Sequence, residues 1–304
     1  MEKIYAAYTA KILSIMPEIK QIFANGKSNI SVEQKSGVGN IVTSVDKQLE
    51  EYISKNLSLL FPKSLIISEE SADDIKNIKT DGLKFVVDPL DGTTNYTNGW
   101  PHAVAIGMID GDELISGVVY DVLEGKVYTG IKGLGVTECD IDDIKTQKKV
   151  VTPTYNLANP ENPIKKAVIS YDTPYGKDAY KTTREMCEEL YNAGASLKTV
   201  GPMALDVLKT ALGRENRQAD YNQATWHSEV RAWDLAASTA ILRELGGDII
   251  GTDGKPLSTE ILSSPSAKIA FIASGSEPLR TAIYEKYKSA EKKNLFEKDE
   301  DISK

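Results

Sequence analysis

Apolar residues recur at steps of three and four from residue 4 to residue 23. Ile4, Tyr5, Tyr8, Ile12, Leu13, Met16, Ile19, Ile22 and Phe23 form one stripe, and the spacing predicts an amphipathic helix with one buried face. A glycine-rich turn follows, Lys35-Ser36-Gly37-Val38-Gly39-Asn40. Thr43-Ser44-Val45-Asp46 then has the pattern that caps a second helix, with Leu49, Tyr52, Ile53, Leu57 and Leu60 as its apolar face. Beyond it the rhythm changes. Leu65-Ile66-Ile67 and Lys84-Phe85-Val86-Val87 predict short buried strands, the first ending in Ser68-Glu69-Glu70-Ser71 and the second in Asp88. Both deliver acids at their C-terminal ends. Further strands are predicted over 103–109, 114–120 and 126–130, with Asp110-Gly111 and Glu124-Gly125 as hairpin signals.

Pro153, Pro160 and Pro163 punctuate the next stretch, which predicts a linker over 153–163 between an N-terminal α+β half, 1–152, and a C-terminal α/β half, 164–288. In the second half, strands at 167–171 and 197–200 alternate with helices at 178–192 and 202–212. A helix at 232–245, strands at 248–250 and 269–274 and a helix at 277–288 follow. This alternation predicts layered α and β elements. Residues 289–304 are mostly charged and read as a solvated tail.

Composition narrows the chemistry. Among 304 residues, Lys+Arg number 36 and Asp+Glu 44, a net charge of −8, which argues against a nucleic-acid binder. No apolar run approaches the roughly 18–20 residues that cross a bilayer. Glu2 and Lys3 followed by a broken apolar pattern do not resemble a secretory leader, so a cytoplasmic location is expected. Two cysteines, Cys139 and Cys187, and two histidines, His102 and His227, make neither a disulfide framework nor a zinc site. Any metal here must be held by oxygen.

The stretch Val86-Val87-Asp88-Pro89-Leu90-Asp91-Gly92-Thr93-Thr94-Asn95 carries the most information. Two acids three apart flank Pro89, which fixes its own φ and restricts the residue before it, so both carboxylates leave a rigid turn. Converging carboxylates raise one another's pKa unless a cation neutralises them, which points to a metal site. Gly92 lets the backbone approach a ligand, and Thr93-Thr94-Asn95 can open a helix whose N–H groups face an anion. Taken alone, such a turn is an ordinary loop. Glu69-Glu70 at a second strand end and Asp234 in Trp233-Asp234-Leu235-Ala236-Ala237 add three further acids, although Asp at a helix start is also a common cap.

Glu69-Glu70-Ser71, Asp88 through Asn95, and Trp233-Asp234 together resemble, in order and separation, the three signatures of the inositol monophosphatase family. That family also includes fructose-1,6-bisphosphatases and bisphosphate nucleotidases. The resemblance spans roughly residues 4 to 288. It implies an α/β fold, a five-layer αβαβα sandwich, and a Mg2+-dependent phosphomonoesterase whose metal-activated water attacks phosphate directly, with no phosphoenzyme. By similarity, Glu69, Asp88 and the backbone carbonyl of Leu90 hold a first Mg2+, and Asp88, Asp91 and Asp234 a second. A third, weaker one sits near Glu69 with Lys35 close by. The resemblance assigns Gly92, Thr93 and Thr94 to the phosphate. It also implies that Thr93, hydrogen-bonded to Asp46, orients the water with Glu69 and Glu70 nearby. Asp46 is equally suited to the capping box of Thr43. Mn2+ as a substitute, Li+ as an inhibitor, a phosphorylated polyol or sugar as substrate and a homodimer are further family expectations.

Two departures bear on substrate. Members that prefer inositol phosphate carry an acid seven residues before the Trp-Asp aspartate, where this chain has His227; Glu229 is the nearest acid. Residues 214–232 also form a longer stretch than expected, placing Tyr221, Trp226, His227 and Arg231 in reach of substrate. Gly201 matches the family's substrate loop, but Pro202 follows it and removes a backbone donor. Arg231, Arg214 or Arg217 could bind a second phosphate, which keeps fructose 1,6-bisphosphate in play. A 3′-phosphoadenosine phosphatase fits less well, since that branch reads Gly-Thr-Lys-Glu at Gly92-Thr93-Thr94-Asn95. The three-residue spacing of Asp88 and Asp91 tells against the haloacid-dehalogenase phosphatases, which need Asp-x-Asp. A non-catalytic phosphate sensor on the same fold would be expected to lack a metal ligand, and all four carboxylates are present.

Overall fold

The first apolar stripe is carried by two helices, α1 (Glu2–Leu13) and α2 (Met16–Gly26). Pro17 explains the break: in a continuous helix its ring would clash with the carbonyl of Leu13, whereas the first turn of a new helix needs no N–H there. The computed structural model describes residues 1–26, 31–34, 41–74, 82–173, 177–199, 201–216 and 220–302, with backbone alone at 72–74, 177–178, 214–215 and 292–302. The predicted glycine-rich turn at 35–40 lies outside the described residues.

Strands β1 (Val32–Gln34) and β2 (Ile41–Thr43) pair as a small ribbon leading into α3 (Ser44–Leu60). The capping box forms as predicted: Thr43 N–H donates to Asp46 Oδ2 at 2.8 Å. A seven-stranded sheet follows, in the spatial order β3 (Leu65–Ser68), β4 (Leu83–Asp91), β5 (Ala103–Asp110), β6 (Glu113–Asp121), β7 (Lys126–Ile131), β8 (Gly135–Asp140) and β9 (Asp143–Lys149). Only the β3–β4 pair within it is parallel. A short helix, α4 (Thr93–Thr97), lies between β4 and β5. The last two strands were not predicted. β9 is an almost wholly exposed edge with Lys145, Lys148 and Lys149, a protected edge that carries no apolar alternation.

No regular element lies between Lys149 and Val168. Beyond them, β10 (Val168–Ser170), α5 (Lys177–Asn192), β11 (Ser196–Lys198), α6 (Met203–Asn216), β12 (Ala224–Val230), α7 (Ala232–Glu244), β13 (Asp248–Gly251), α8 (Thr259–Leu262), β14 (Ile269–Ser274) and α9 (Glu277–Ile302) complete the chain. Residues 224–230, read as part of an extension, are the central strand of a five-stranded sheet ordered β11-β10-β12-β14-β13. The expected tail is helical, since α9 continues to Ile302.

Helices α1–α3 cover one face of the large sheet, α6 and α7 fill the space between the sheets, and α5 and α9 cover the far face of the small sheet. The result is a five-layer αβαβα sandwich with three apolar cores, one at each helix–sheet boundary of the outer layers and one around α6 and α7. Among the described residues no helix is long and apolar enough to cross a membrane.

The middle layer is close to the large sheet because Gly107, Gly117 and Gly130 pair side by side across β5, β6 and β7. A Cβ at Gly117 would stand 2.0 Å from the carbonyl oxygen of Ala237, and one at Gly107 would stand 2.7 Å from the Ala236 Cβ. The small residues of α7 thus lie directly on a glycine floor, which sets the height of Asp234 above the sheet.

One buried acid offers a stability test. Burial pushes the Asp206 carboxyl up from 3.8 to about 7, although Lys209 and Lys198 oppose the shift. The folded state therefore keeps a proton that the unfolded chain releases, so stability is greatest below the unfolded value and falls as pH rises through about 7. Asp206→Asn is expected to gain up to about 4 kcal/mol over the parent at pH 8 and almost nothing at pH 4. Denaturant melts at both pH values check this.

Candidate active site

The predicted acids arrive from different elements. On β4, the pairing with β5 is regular to Asp88, slips, and resumes at Asp91 opposite Ala103. Pro89 sits in that irregularity, where a residue without an N–H is tolerated. The strand therefore runs through the acids rather than ending before them. Leu90 N–H donates to Asp88 Oδ1 at 3.0 Å, and the Leu90 side chain is buried in the outer core. Burying Leu90 holds the backbone between the two aspartates in place.

Glu69 and Glu70 begin a 3-10 turn, Glu69–Asp74, at the end of β3. Glu50 of α3 brackets them, accepting hydrogen bonds from the hydroxyls of Ser68 and Ser71, the latter at 3.0 Å. Sequence reasoning missed Glu50, because it looks like any polar residue on the outer face of a helix. Asp234 lies in the first turn of α7, and its Oδ2 accepts the Arg231 N–H at 2.7 Å.

Asp46 does two jobs. Its Oδ2 closes the capping box, and its Oδ1 accepts the Thr93 hydroxyl at 2.7 Å across 47 residues of sequence. The same hydroxyl oxygen lies 3.4 Å from the Leu90 carbonyl, so Thr93 stands directly over the Asp88–Asp91 segment. One carboxylate thus makes both the cap contact with Thr43 and the contact with Thr93.

Gly92, with φ of 88°, turns the chain into α4, and a Cβ there would lie 2.8 Å from the Pro202 ring. Gly201 is packed just as closely, 2.0 Å from a built Cβ to Asn95 Nδ2. The segment around Gly201 is thereby pressed onto the Asp91–Asn95 turn. The donor lost at Pro202 is made up by its neighbours: Met203 and Ala204 N–H groups reach Asp91, Ala204 at 2.6 Å from Oδ2. Thr94 is exposed beside them.

Electrostatics ties three elements together. Burial pushes the Asp91 carboxyl well up, nearby Asp234 pushes it further and Glu69 adds to this, while the two amides of α6 pull the other way. Acids on β4, α7 and the turn after β3 thus act on one another around the buried Asp91. Among the described residues no three carboxylate, imidazole or thiol side chains stand as a ready-made metal cluster. Asp88, Asp91 and Asp234 each direct an oxygen to a backbone amide instead. The donor set is oxygen throughout and its mutual repulsion is what a hard divalent cation relieves, so the residues fit Mg2+.

The substrate candidates fare differently. Glu229 pairs with Lys268 at 2.8 Å. The Arg231 guanidinium donates to the carbonyls of Ser266 at 2.9 Å and Ala267 at 3.4 Å. Trp226 and His227, expected near substrate, are buried at 0% and 4% exposure, because they belong to β12 rather than to a loop. Burial lowers the His227 imidazole to about 4 despite Glu229, and its Nδ1 accepts the Glu229 N–H at 3.0 Å. It is therefore neutral near pH 7 and brings no charge to a phosphate. Lys35 and Arg217 lie outside the described residues, as does the side chain of Arg214.

Residues 1–288 match the model of the inositol monophosphatase family. Inositol monophosphatase 1 of Sus scrofa is 30% identical over 234 residues, covering 76% of this chain and 78% of that one. A staphylococcal inositol monophosphatase-1 soaked in LiCl superposes with a TM-score of 0.75 at 20% identity, covering 93% and 94% of the two chains. An IMPase/NADP phosphatase complexed with Mg2+ and phosphate does so at 0.74 and 20%, covering 93% and 95%. The fold and these relatives make the protein a phosphoric monoester hydrolase of the inositol phosphate type. The chain belongs to the inositol monophosphatase family.

Proposed function

We propose that this hydrolase is Mg2+-dependent and releases phosphate from inositol monophosphate or a related polyol or sugar monophosphate. The carrying observation is the Asp91 carboxyl, raised first by its burial and then by Asp234 on α7 and Glu69 after β3. Glu69, Asp88, Asp91, Asp234 and the Leu90 carbonyl would hold the cations. Bound there, Mg2+ supplies a more acidic attacking water and offsets charge on the transferring phosphoryl and leaving oxygen. Thr93 donates its proton to Asp46, so its oxygen is left to accept one from the attacking water, with Glu70 alongside. Backbone N–H groups at Gly92 and Thr93 would bind the phosphate, next to Thr94 and the Gly201 loop. Residues 153–163 are read as the junction of the two halves that meet at this site. A homodimer in the cytoplasm, Mn2+ as a substitute and Li+ as an inhibitor complete the reading; the LiCl-soaked relative supports the last.

Arg231 is already committed to Ser266 and Ala267 and Glu229 to Lys268. We therefore expect monophosphates to be preferred over fructose 1,6-bisphosphate. Phosphate release from inositol 1-phosphate, fructose 1,6-bisphosphate, phosphoadenosine phosphate, NADP and glycerol 2-phosphate, with Mg2+ or EDTA, tests this. Inositol 1-phosphate should be cleaved only with Mg2+; no release from any substrate would refute the reading. Thr93→Val spares the capping box, and kcat should fall about 10²-fold with little change in KM.

A further inference from the structure

Asp220, just before β12, is reached by two lysines that bracket one segment of chain. Lys198 ends β11 and meets Asp220 Oδ1 at 2.8 Å, and Lys209 on α6 meets Oδ2 at 2.8 Å. Between the two lysines lie Gly201, Pro202 and Ala204, which touch the Asp91–Asn95 turn by the contacts already given. One carboxylate thus holds both ends of the stretch whose middle bears on the proposed metal ligand Asp91.

The pairing is not a surface decoration. The Lys209 side chain is 4% exposed, against 23% for Lys198 and 45% for Asp220. A buried ammonium requires a counter-charge, because little water reaches it. Asp206 faces the same lysines, but burial raises it to about 7, so it is mostly neutral only below that pH, whereas Asp220 stays ionised well below it. Burial would raise Asp220 too, yet hydrogen bonds and charge from Lys198 and Lys209 bring it down to about 2. Asp220 therefore stays ionised throughout the neutral range.

We propose that Asp220 is a positioning residue for the active site: by binding Lys198 and Lys209 together it fixes the 201–204 segment against the Asp91–Asn95 turn and aims the Ala204 N–H at Asp91. This rests on the proposed function only in naming Asp91 a metal ligand. The mechanical link is contiguous. Pro202 against Gly92, Gly201 against Asn95 and Ala204 on Asp91 are successive contacts of one short segment, so slack at its ends is transmitted to the carboxylate.

The test compares the parent, Asp220→Asn, Asp220→Glu and Lys198→Met by two readouts. The first is amide hydrogen exchange of the metal-free full-length protein, followed peptide by peptide. Asp220→Asn should speed exchange at least about fivefold in peptides covering 199–206 while leaving β5 and β6 unchanged, and Asp220→Glu should restore much of the protection. The second is the Mg2+ concentration giving half-maximal phosphate release. It should rise about three- to tenfold in Asp220→Asn, less in Asp220→Glu, with KM for the substrate moving by under twofold. Should Asp220→Asn fail to fold, Lys198→Met carries the test, since it removes one arm and leaves Lys209 paired; local exchange should again quicken. Unchanged exchange at 199–206, or a uniform rise over the whole protein, overturns the clamp. An inactive parent would count against the phosphatase reading alone, because the exchange readout needs no turnover.

Discussion

Asp91→Asn is expected to lower kcat/KM by about 10³-fold or more, a loss of about 4 kcal/mol in transition-state stabilisation. In the metal-free protein the same substitution should raise the melting temperature at pH 8. Opposite signs follow from one cause. The folded-state carboxyl is raised by burial and by Asp234 and Glu69, so the stability it contributes is present below its unfolded pKa and lost as pH rises through the folded one. Asparagine keeps an oxygen for the Ala204 amide without the charge, and should therefore relieve the metal-free fold at pH 8 and change it little at pH 4. A purely structural aspartate would lose stability and activity together. Thermal melts in EDTA at the two pH values, beside turnover in Mg2+, separate the cases.

The second large effect concerns the glycine floor. Gly117→Ala should cost about 3 kcal/mol or more, because the new Cβ would overlap the Ala237 carbonyl oxygen at 2.0 Å and backbone cannot rotate away. Turnover of the remaining folded protein should fall as well, since α7 must lift and carries Asp234 with it. Gly111→Ala is the internal control. Gly111 has φ of 57° and nothing within 4 Å of a built Cβ, so its cost should stay near 1 kcal/mol. Urea midpoints of the two variants settle the comparison; equal, small shifts would mean that α7 does not depend on the close approach.

Much of this site could be read from one sequence because its residues are local and chemically unusual. Thr43 through Asp46 spells its own capping box, and Asp88-Pro89-Leu90-Asp91-Gly92 spells a constrained acidic segment. The parts that escaped depend on partners distant in the chain. Glu50 acquires meaning only when Ser68 and Ser71 fold against it. Lys209 looks like a solvated helix charge until α6 is sandwiched between two sheets. The run Ala224 to Val230 contains His227, Ser228 and Glu229, which mask a central strand. The single-helix reading of residues 4–23 failed for the opposite reason: a sound apolar period ran across Pro17, where backbone chemistry overrides side-chain pattern.

Substrate preference is where side-chain pattern says least, and the structure redirects it. His227 is neutral and buried and Arg231 is bound to backbone carbonyls, so neither side chain offers a free charge to a second phosphate.

On the proposed function, acids from β4, α7 and the turn after β3 share divalent cations. Crystals of the full chain soaked in Mn2+ test it most directly through anomalous scattering. Peaks are expected in contact with oxygens of Asp88, Asp91 and Asp234, and one touching Glu69 and the Leu90 carbonyl, all lost in Asp91→Asn or greatly weakened. Mn2+ bound only elsewhere on the protein, with these carboxylates left on their backbone amides, would contradict it.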